Sequence, residues 1–154
     1  MKICNYLTKG HIFLDMKSSD KRALLGEFVA VLKEMGSIEQ DQIILESLLK
    51  REGLGSTGLE KGIAIPHALV DGVDGPIIAL SVLKDGIDFE AADGMPTYVV
   101  LLLLGNKNNP GNQLKILAHV CRLVKETDFV EKVKMATVPE DICDILEKDE
   151  GKIG

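Results

Sequence analysis

A nucleophile, a cation and a cradle for an anion stand close together between Arg51 and His67. His67 follows the rigid Pro66, and a neutral imidazole is a competent nucleophile near pH 7 because its unperturbed pKa is about 6.5. Upstream runs a glycine-rich loop, Gly53 to Gly62, reading Gly-Leu-Gly-Ser-Thr-Gly-Leu-Glu-Lys-Gly. Such glycines let backbone amides converge on an anion without side-chain obstruction. Ser56 and Thr57 add hydroxyl donors, and Arg51 at the loop entrance supplies a planar, permanently charged fork suited to phosphate oxygens. The chemistry this set can perform is phosphoryl transfer onto histidine. On residue types alone, the same stretch also makes an ordinary connection followed by a turn.

Two nucleotide motifs are excluded by context. Gly53-x-Gly55-x-x-Gly58 has the letters of a dinucleotide-binding fingerprint, with Asp74 near the distance of a ribose-binding acid. That fingerprint must follow a strand and open a helix, whereas here a helical pattern precedes it and a strand follows. Gly53 and Gly58 also have P-loop spacing, but Leu59 stands where the phosphate-binding lysine belongs. Asp71, Asp74, Asp88 and Asp93 follow no metal-ligand spacing and read as loop and turn acids, so no metal and no cofactor is expected.

The elements that must position these residues can be read along the chain. His11 to Met16 partly alternates and predicts a short strand or extended entry. Ser18, Ser19 and Asp20 offer helix caps before Leu24, Leu25, Phe28, Val31, Leu32 and Met35, and Gly36 stops that run. A second helix opens at Ser37 or Asp41 and reaches about Arg51-Glu52. Ile63 to Pro66 predicts a short strand ended by proline, with His67 just past it. Further strands are expected at Pro76 to Leu83 and Val99 to Leu104, the latter apolar on both faces and therefore central in a sheet covered on both sides. Gly105 to Gly111 reads as a loop. Gln113 to Lys125 predicts a helix with Leu114, Leu117, Cys121 and Val124 facing inward, and Asp128 to Met135 and Glu140 to Leu146 predict two more. The fold class expected is α/β: a mixed central β-sheet flanked by helices on both sides, in one domain over residues 1–154.

Bulk properties narrow the function classes. The formal charge is -6 and the basic residues are scattered, which argues against nucleic acid as a partner. Cys4, Cys121 and Cys143 are odd in number and widely spaced, as free thiols in a reducing compartment would be. Met1 to Met16 lacks an unbroken apolar stretch and a small-residue cleavage site. Tyr98 to Leu104, the longest apolar run, is far short of the roughly 20 residues that span a bilayer. A cytoplasmic location without membrane insertion is expected. Lys148 to Gly154, polar and glycine-ended, reads as a frayed terminus.

Arg51-Glu52-Gly53-Leu54-Gly55-Ser56-Thr57-Gly58-Leu59-Glu60-Lys61-Gly62-Ile63-Ala64-Ile65-Pro66-His67 closely resembles the signature of phosphotransferase enzyme IIA proteins of the fructose/mannitol type, including the nitrogen-regulatory branch. The resemblance runs over nearly the whole chain. It implies an α/β fold with a mixed sheet and a phosphotransferase activity in which His67 receives phosphate from the histidine-containing phosphocarrier protein, without magnesium. Arg51 matches the active-site arginine; Ser56 and Thr57, read from the loop's own hydroxyls, and Gln113 are the expected phosphate-binding residues. The sequence departs from the family at Glu60, where glycine is usual, and at Gln113, where a second active-site histidine is usual. Gln113 can still hydrogen-bond a phosphate but cannot carry charge. His119, six residues on, is turned about 120° from Gln113 on a helix and reads as a scaffold residue, as does His11. The resemblance implies either a regulator acting on targets such as a sensor kinase or ion transporter, or a transport component passing phosphate to a IIB domain. The absence of a fused segment and the neutral Gln113 lean toward the regulator.

Overall fold

The computed structural model describes residues 2–153. Two short 3₁₀ turns, Ile3–Asn5 and Lys9–His11, lead into the two-residue strand β1, Ile12–Phe13. Helices α1 (Lys21–Glu34) and α2 (Asp41–Gly53) follow. Asp20 caps α1 by accepting from the Ala23 amide at 2.8 Å, and Gly36, at φ 79°, turns the chain out of it. Leu24, Leu25, Phe28 and Leu32 are fully buried from this helix, each contributing about 1.5–3 kcal/mol.

The sheet carries β2 (Ile63–Ala64), β3 (His67–Val70), β4 (Ile77–Ile87) and β5 (Thr97–Asn106) as well as β1. Its order is β1-β4-β5-β2, with β3 also on β5. The β4–β5 pair is antiparallel and the other pairs are parallel, so the sheet is mixed as the sequence indicates. Strand parity divides the interior. Ile63, Ile65, Ile78, Leu80, Val99, Leu101 and Leu103 face α3 (Pro110–Glu126), α4 (Phe129–Lys134) and α5 (Pro139–Ile153). Ala64, Ala68, Val70, Ala79, Val100, Leu102 and Leu104 face α1 and α2. Helices therefore cover both faces, and β5, central and buried on both sides, shows why its run has no polar alternation.

Four expectations are corrected. Pro66 does not end the strand region: the chain breaks there and resumes as β3, so His67 begins a strand that pairs with β5 at His67↔Leu103 through Val70↔Asn106. The inward stripe of α3 is Gln113, Ile116, Val120, Leu123 and Val124. Leu114 is 68% exposed, and Cys121 is an exposed thiol rather than a core one. Asn109 caps the helix and Pro110 starts it, three residues ahead of the sequence expectation, and the face docked on the sheet is the one carrying Ile116, Val120 and Leu123, which turns Leu114 outward. Finally, residues 148–153 are helical, with Asp149, Glu150 and Ile153 buried, so the expected fraying does not occur there; Gly154 lies outside the described residues.

Candidate functional site

Helix α2 and strand β3 bring Arg51 and His67 to one cavity of about 400 Å³, which is also lined by Lys50, Leu54, Leu69, Lys107 and Gln113. His67 is half-buried at the start of β3, on the sheet face opposite the buried Ala68 and Val70. Its Nδ1 donates to the Ile65 carbonyl oxygen at 2.8 Å, a contact set by the break at Pro66 that lets residue 67 fold back over residue 65. A carbonyl can only accept, so Nδ1 carries the proton and the lone pair is on Nε2.

Burial pushes the His67 pKa below its ordinary value, and the positive Arg51 pushes it further down. The Ile65 hydrogen bond and the negative Glu52 act the other way without reversing the direction. The ring is accordingly neutral near pH 7, as a nucleophile must be. NMR titration of His67 is expected to give a midpoint below 6.5 in the native chain. Arg51→Gln should raise it by removing one of the two lowering influences. Any reaction in which Nε2 is the nucleophile should then be level above pH 7 and fall only on the acid side, where protonation occupies the Nε2 lone pair. A native midpoint at or above 6.5 contradicts this electrostatic picture.

Arg51 is held in place by its own loop: its Nη1 donates to the Gly55 carbonyl at 2.8 Å, leaving the rest of the guanidinium for the cavity. Gln113 projects from α3 and is only 7% exposed. Its Oε1 has no hydrogen-bond partner among the described residues and lies over Gly105, where an added Cβ would meet it at 2.5 Å. The amide NH₂ is therefore the end of Gln113 able to reach a phosphoryl oxygen.

Ser56 and Thr57 are not brought to this cavity. The Ser56 hydroxyl donates to the Phe89 carbonyl at 2.5 Å and accepts from the Gly58 amide at 3.0 Å. The Thr57 hydroxyl donates to Glu52, whose other carboxylate oxygen accepts from the Thr57 amide at 3.0 Å. The direct phosphate contacts expected of these two hydroxyls thus have no support in this geometry; both are spent shaping the loop. Glu52 is the organiser. It is 8% exposed, and Lys21 from α1 balances its charge at 3.2 Å. Sequence reasoning missed Glu52, Lys21, Lys50 and Lys107, since nothing in their local spacing distinguishes them from surface charges.

The remaining histidines serve the scaffold. His119 meets the buried Glu150 at 2.5 Å, while His11 contacts the Ile78 carbonyl and the Ser37 hydroxyl. Among the described residues no cluster of His, Cys, Asp and Glu could hold a metal, and no helix is long and apolar enough to cross a membrane. The glycine loop follows α2 and leads into β2, the reverse of a dinucleotide-binding turn.

Comparison with known proteins gives concordant results. The chain is 34% identical to the fructose-specific EIIABC component of the phosphotransferase system of Bacillus subtilis over 95% of its own length, spanning 23% of that protein. It is 30% identical to a nitrogen regulatory protein of Bradyrhizobium diazoefficiens, with 95% of each chain covered. Among solved structures, the nitrogen regulatory protein IIA-Ntr of Neisseria meningitidis superposes with a TM-score of 0.85 at 31% identity, covering 94% of this chain and 98% of that one. The mannitol IIA protein of Escherichia coli shares the fold, with a TM-score of 0.75 at 21% identity over 90% of this chain and 97% of that one. The model of the phosphoenolpyruvate-dependent sugar phosphotransferase system EIIA 2 family matches residues 5–149, and the chain belongs to that family.

Proposed function

We propose that His67 accepts a phosphoryl group through Nε2 from the histidine-containing phosphocarrier protein, and that the chain is a phosphorylation-dependent regulator of the nitrogen-regulatory type. The observation that carries the first half is the Nδ1 hydrogen bond to Ile65, which leaves Nε2 as the free nucleophile beside Arg51. In the transfer, the donor's N–P bond breaks as the Nε2–P bond of His67 forms. The proton stays on Nδ1, hydrogen-bonded to the Ile65 carbonyl, and the donor imidazole leaves with the bonding pair. Arg51 holds oxygens of the travelling group, whose charge is the chief thing to stabilise. Leu54, 81% exposed on the cavity rim, and Leu114 on the neighbouring helix give a protein donor apolar surface to cover.

The regulatory reading is supported by the neutral Gln113 in the cavity and by the likeness to the Neisseria meningitidis protein. Phosphorylation replaces a neutral ring with an anionic group at a surface partners can sample, which suits a target such as a sensor kinase or ion transporter. The Bacillus subtilis relative supports a second reading, in which phosphate passes on to a IIB domain for fructose, mannitol or a related sugar. Retention of both Arg51 and His67 counts against an interaction module that is never phosphorylated.

The test mixes the native chain with phosphoenolpyruvate, enzyme I and the phosphocarrier, followed by intact mass and phosphorus NMR. One phosphoryl group should be gained, and it should sit on Nε2. Attachment at Nδ1, or no gain, refutes the proposed chemistry. Adding IIB domains with sugars separates the two roles, because phosphate that stays on His67 in their presence counts against transport.

A further inference from the structure

The cavity wall presents Lys50, Arg51 and Lys107 and no carboxylate, while its buried amide, Gln113, is neutral. Arg51 comes from the end of α2 on one side of His67. Lys107 comes from the turn after β5 on another. The register places it there: with Val70↔Asn106 the last ladder pair, Asp71 and Lys107 are the next residues across. The Lys107 amide donates to the Val70 carbonyl at 3.1 Å, so its backbone is fixed to the end of the strand that His67 begins. Asn106 pegs the same turn, its Nδ2 donating to the Val73 carbonyl and its Oδ1 accepting from Asn108, both at 2.8 Å. The backbone of Lys107 is therefore pinned while its side chain, 55% exposed, is free to choose a partner.

That partner is Asp71, at 3.5 Å and itself 73% exposed. An exposed lysine–carboxylate pair of this kind contributes little and is readily exchanged. A phosphoryl group on His67 would offer a stronger counter-charge, nearly two negative charges over an apolar floor that includes Leu69. We propose, resting on the reading of His67 as the phosphoryl acceptor, that Lys107 leaves Asp71 when His67 is phosphorylated and holds a phosphoryl oxygen opposite Arg51. Asp71 then competes with the phosphoryl group for one ammonium and sets how tightly the phosphorylated state is held.

Asp71 and Lys107 should therefore act with opposite signs. The experiment measures the equilibrium of phosphoryl exchange between the phosphorylated phosphocarrier protein and this chain, by intact mass at low and high salt. Lys107→Met should shift the equilibrium about tenfold toward the donor, as loss of a charge-assisted hydrogen bond would. Lys107→Arg should restore most of it. Asp71→Asn should shift the equilibrium two- to threefold the other way, within the range expected for removing an exposed competitor. These shifts should shrink in high salt. A merely structural pair predicts the same sign for Lys107→Met and Asp71→Asn, with matching losses of urea stability, and that outcome overturns the proposal. So does a Lys107→Met protein that exchanges as the native chain does, although His67 then remains the acceptor. No uptake by the native chain overturns the His67 reading itself and this proposal with it.

Discussion

His67→Ala is expected to take up no phosphoryl group from the phosphorylated phosphocarrier, while Arg51→Gln takes it up at a rate about 10²–10³ lower. The difference follows from what each residue does. In the proposed reaction His67 provides the atom to which phosphorus bonds, and the other histidines are occupied: His119 is engaged by Glu150, and His11 lies between the Ile78 carbonyl and Ser37. Arg51, on the same proposal, provides charge and hydrogen bonds to the moving group, and their loss slows the reaction without removing the acceptor. Neither change should unfold the protein. His67 is half-buried, and its ring's hydrogen bond to the Ile65 carbonyl is worth about 1 kcal/mol. Rapid-quench mass measurements, with urea midpoints run in parallel, check both halves. Residual uptake in His67→Ala would place the acceptor elsewhere, and a native rate in Arg51→Gln would remove the guanidinium from the mechanism.

Much of this arrangement could be read before the fold was known, and the reasons are local. Asp20 caps a helix and Gly36 ends it through chemistry contained within a few residues. The apolar run of β5 announces a strand buried on two faces because that pattern has few other solutions. Proline before His67 marks a break, and the order of helix, glycine loop and strand excludes a dinucleotide-binding fingerprint at this loop. The failures are equally physical. Hydroxyls in a glycine loop look free from sequence, but Ser56 is claimed by a carbonyl 33 residues away and Thr57 by Glu52. Which leucine of α3 faces inward depends on which stripe docks on the sheet, and the choice of the Ile116, Val120 and Leu123 stripe exposes Leu114. Lys107 enters the cavity only because β3 and β5 pair in parallel with a particular register, and no local pattern encodes a pairing between distant strands.

The least legible feature is at the chain's end, and it should carry the largest stability effect. Glu150, with a side chain fully shielded from solvent, accepts from the Ile3 amide at 2.5 Å, the Cys4 amide at 2.9 Å and His119 Nε2 at 2.5 Å. The two amides belong to the first 3₁₀ turn and have no helical acceptor of their own, so a carboxylate from α5 completes a turn near the other end of the sequence. One side chain thus ties the N-terminal turn, α3 and α5 into a single unit. Glu150→Ala strands one buried and two partly buried donors and is expected to cost about 3 kcal/mol, a large share of the roughly 5–15 kcal/mol that holds a domain of this kind folded. Glu150→Gln keeps a carbonyl oxygen but sets an NH₂ against one of those donors, so it should fall between the native protein and Glu150→Ala. Urea unfolding followed by circular dichroism should give midpoints in that order at unchanged slope. Midpoints within error of the native value would mean that the N-terminal turn docks by its apolar contacts alone, with Ile3 and Leu7 sufficient to hold it on α5. The proposed phosphoryl site shares only Gln113 of α3 with this unit; His67, Arg51 and Lys107 come from β3, α2 and the loop after β5, so acceptance by His67 should persist in both variants wherever they remain folded. That separation is what lets a stability measurement and a transfer measurement be read independently in the same chain.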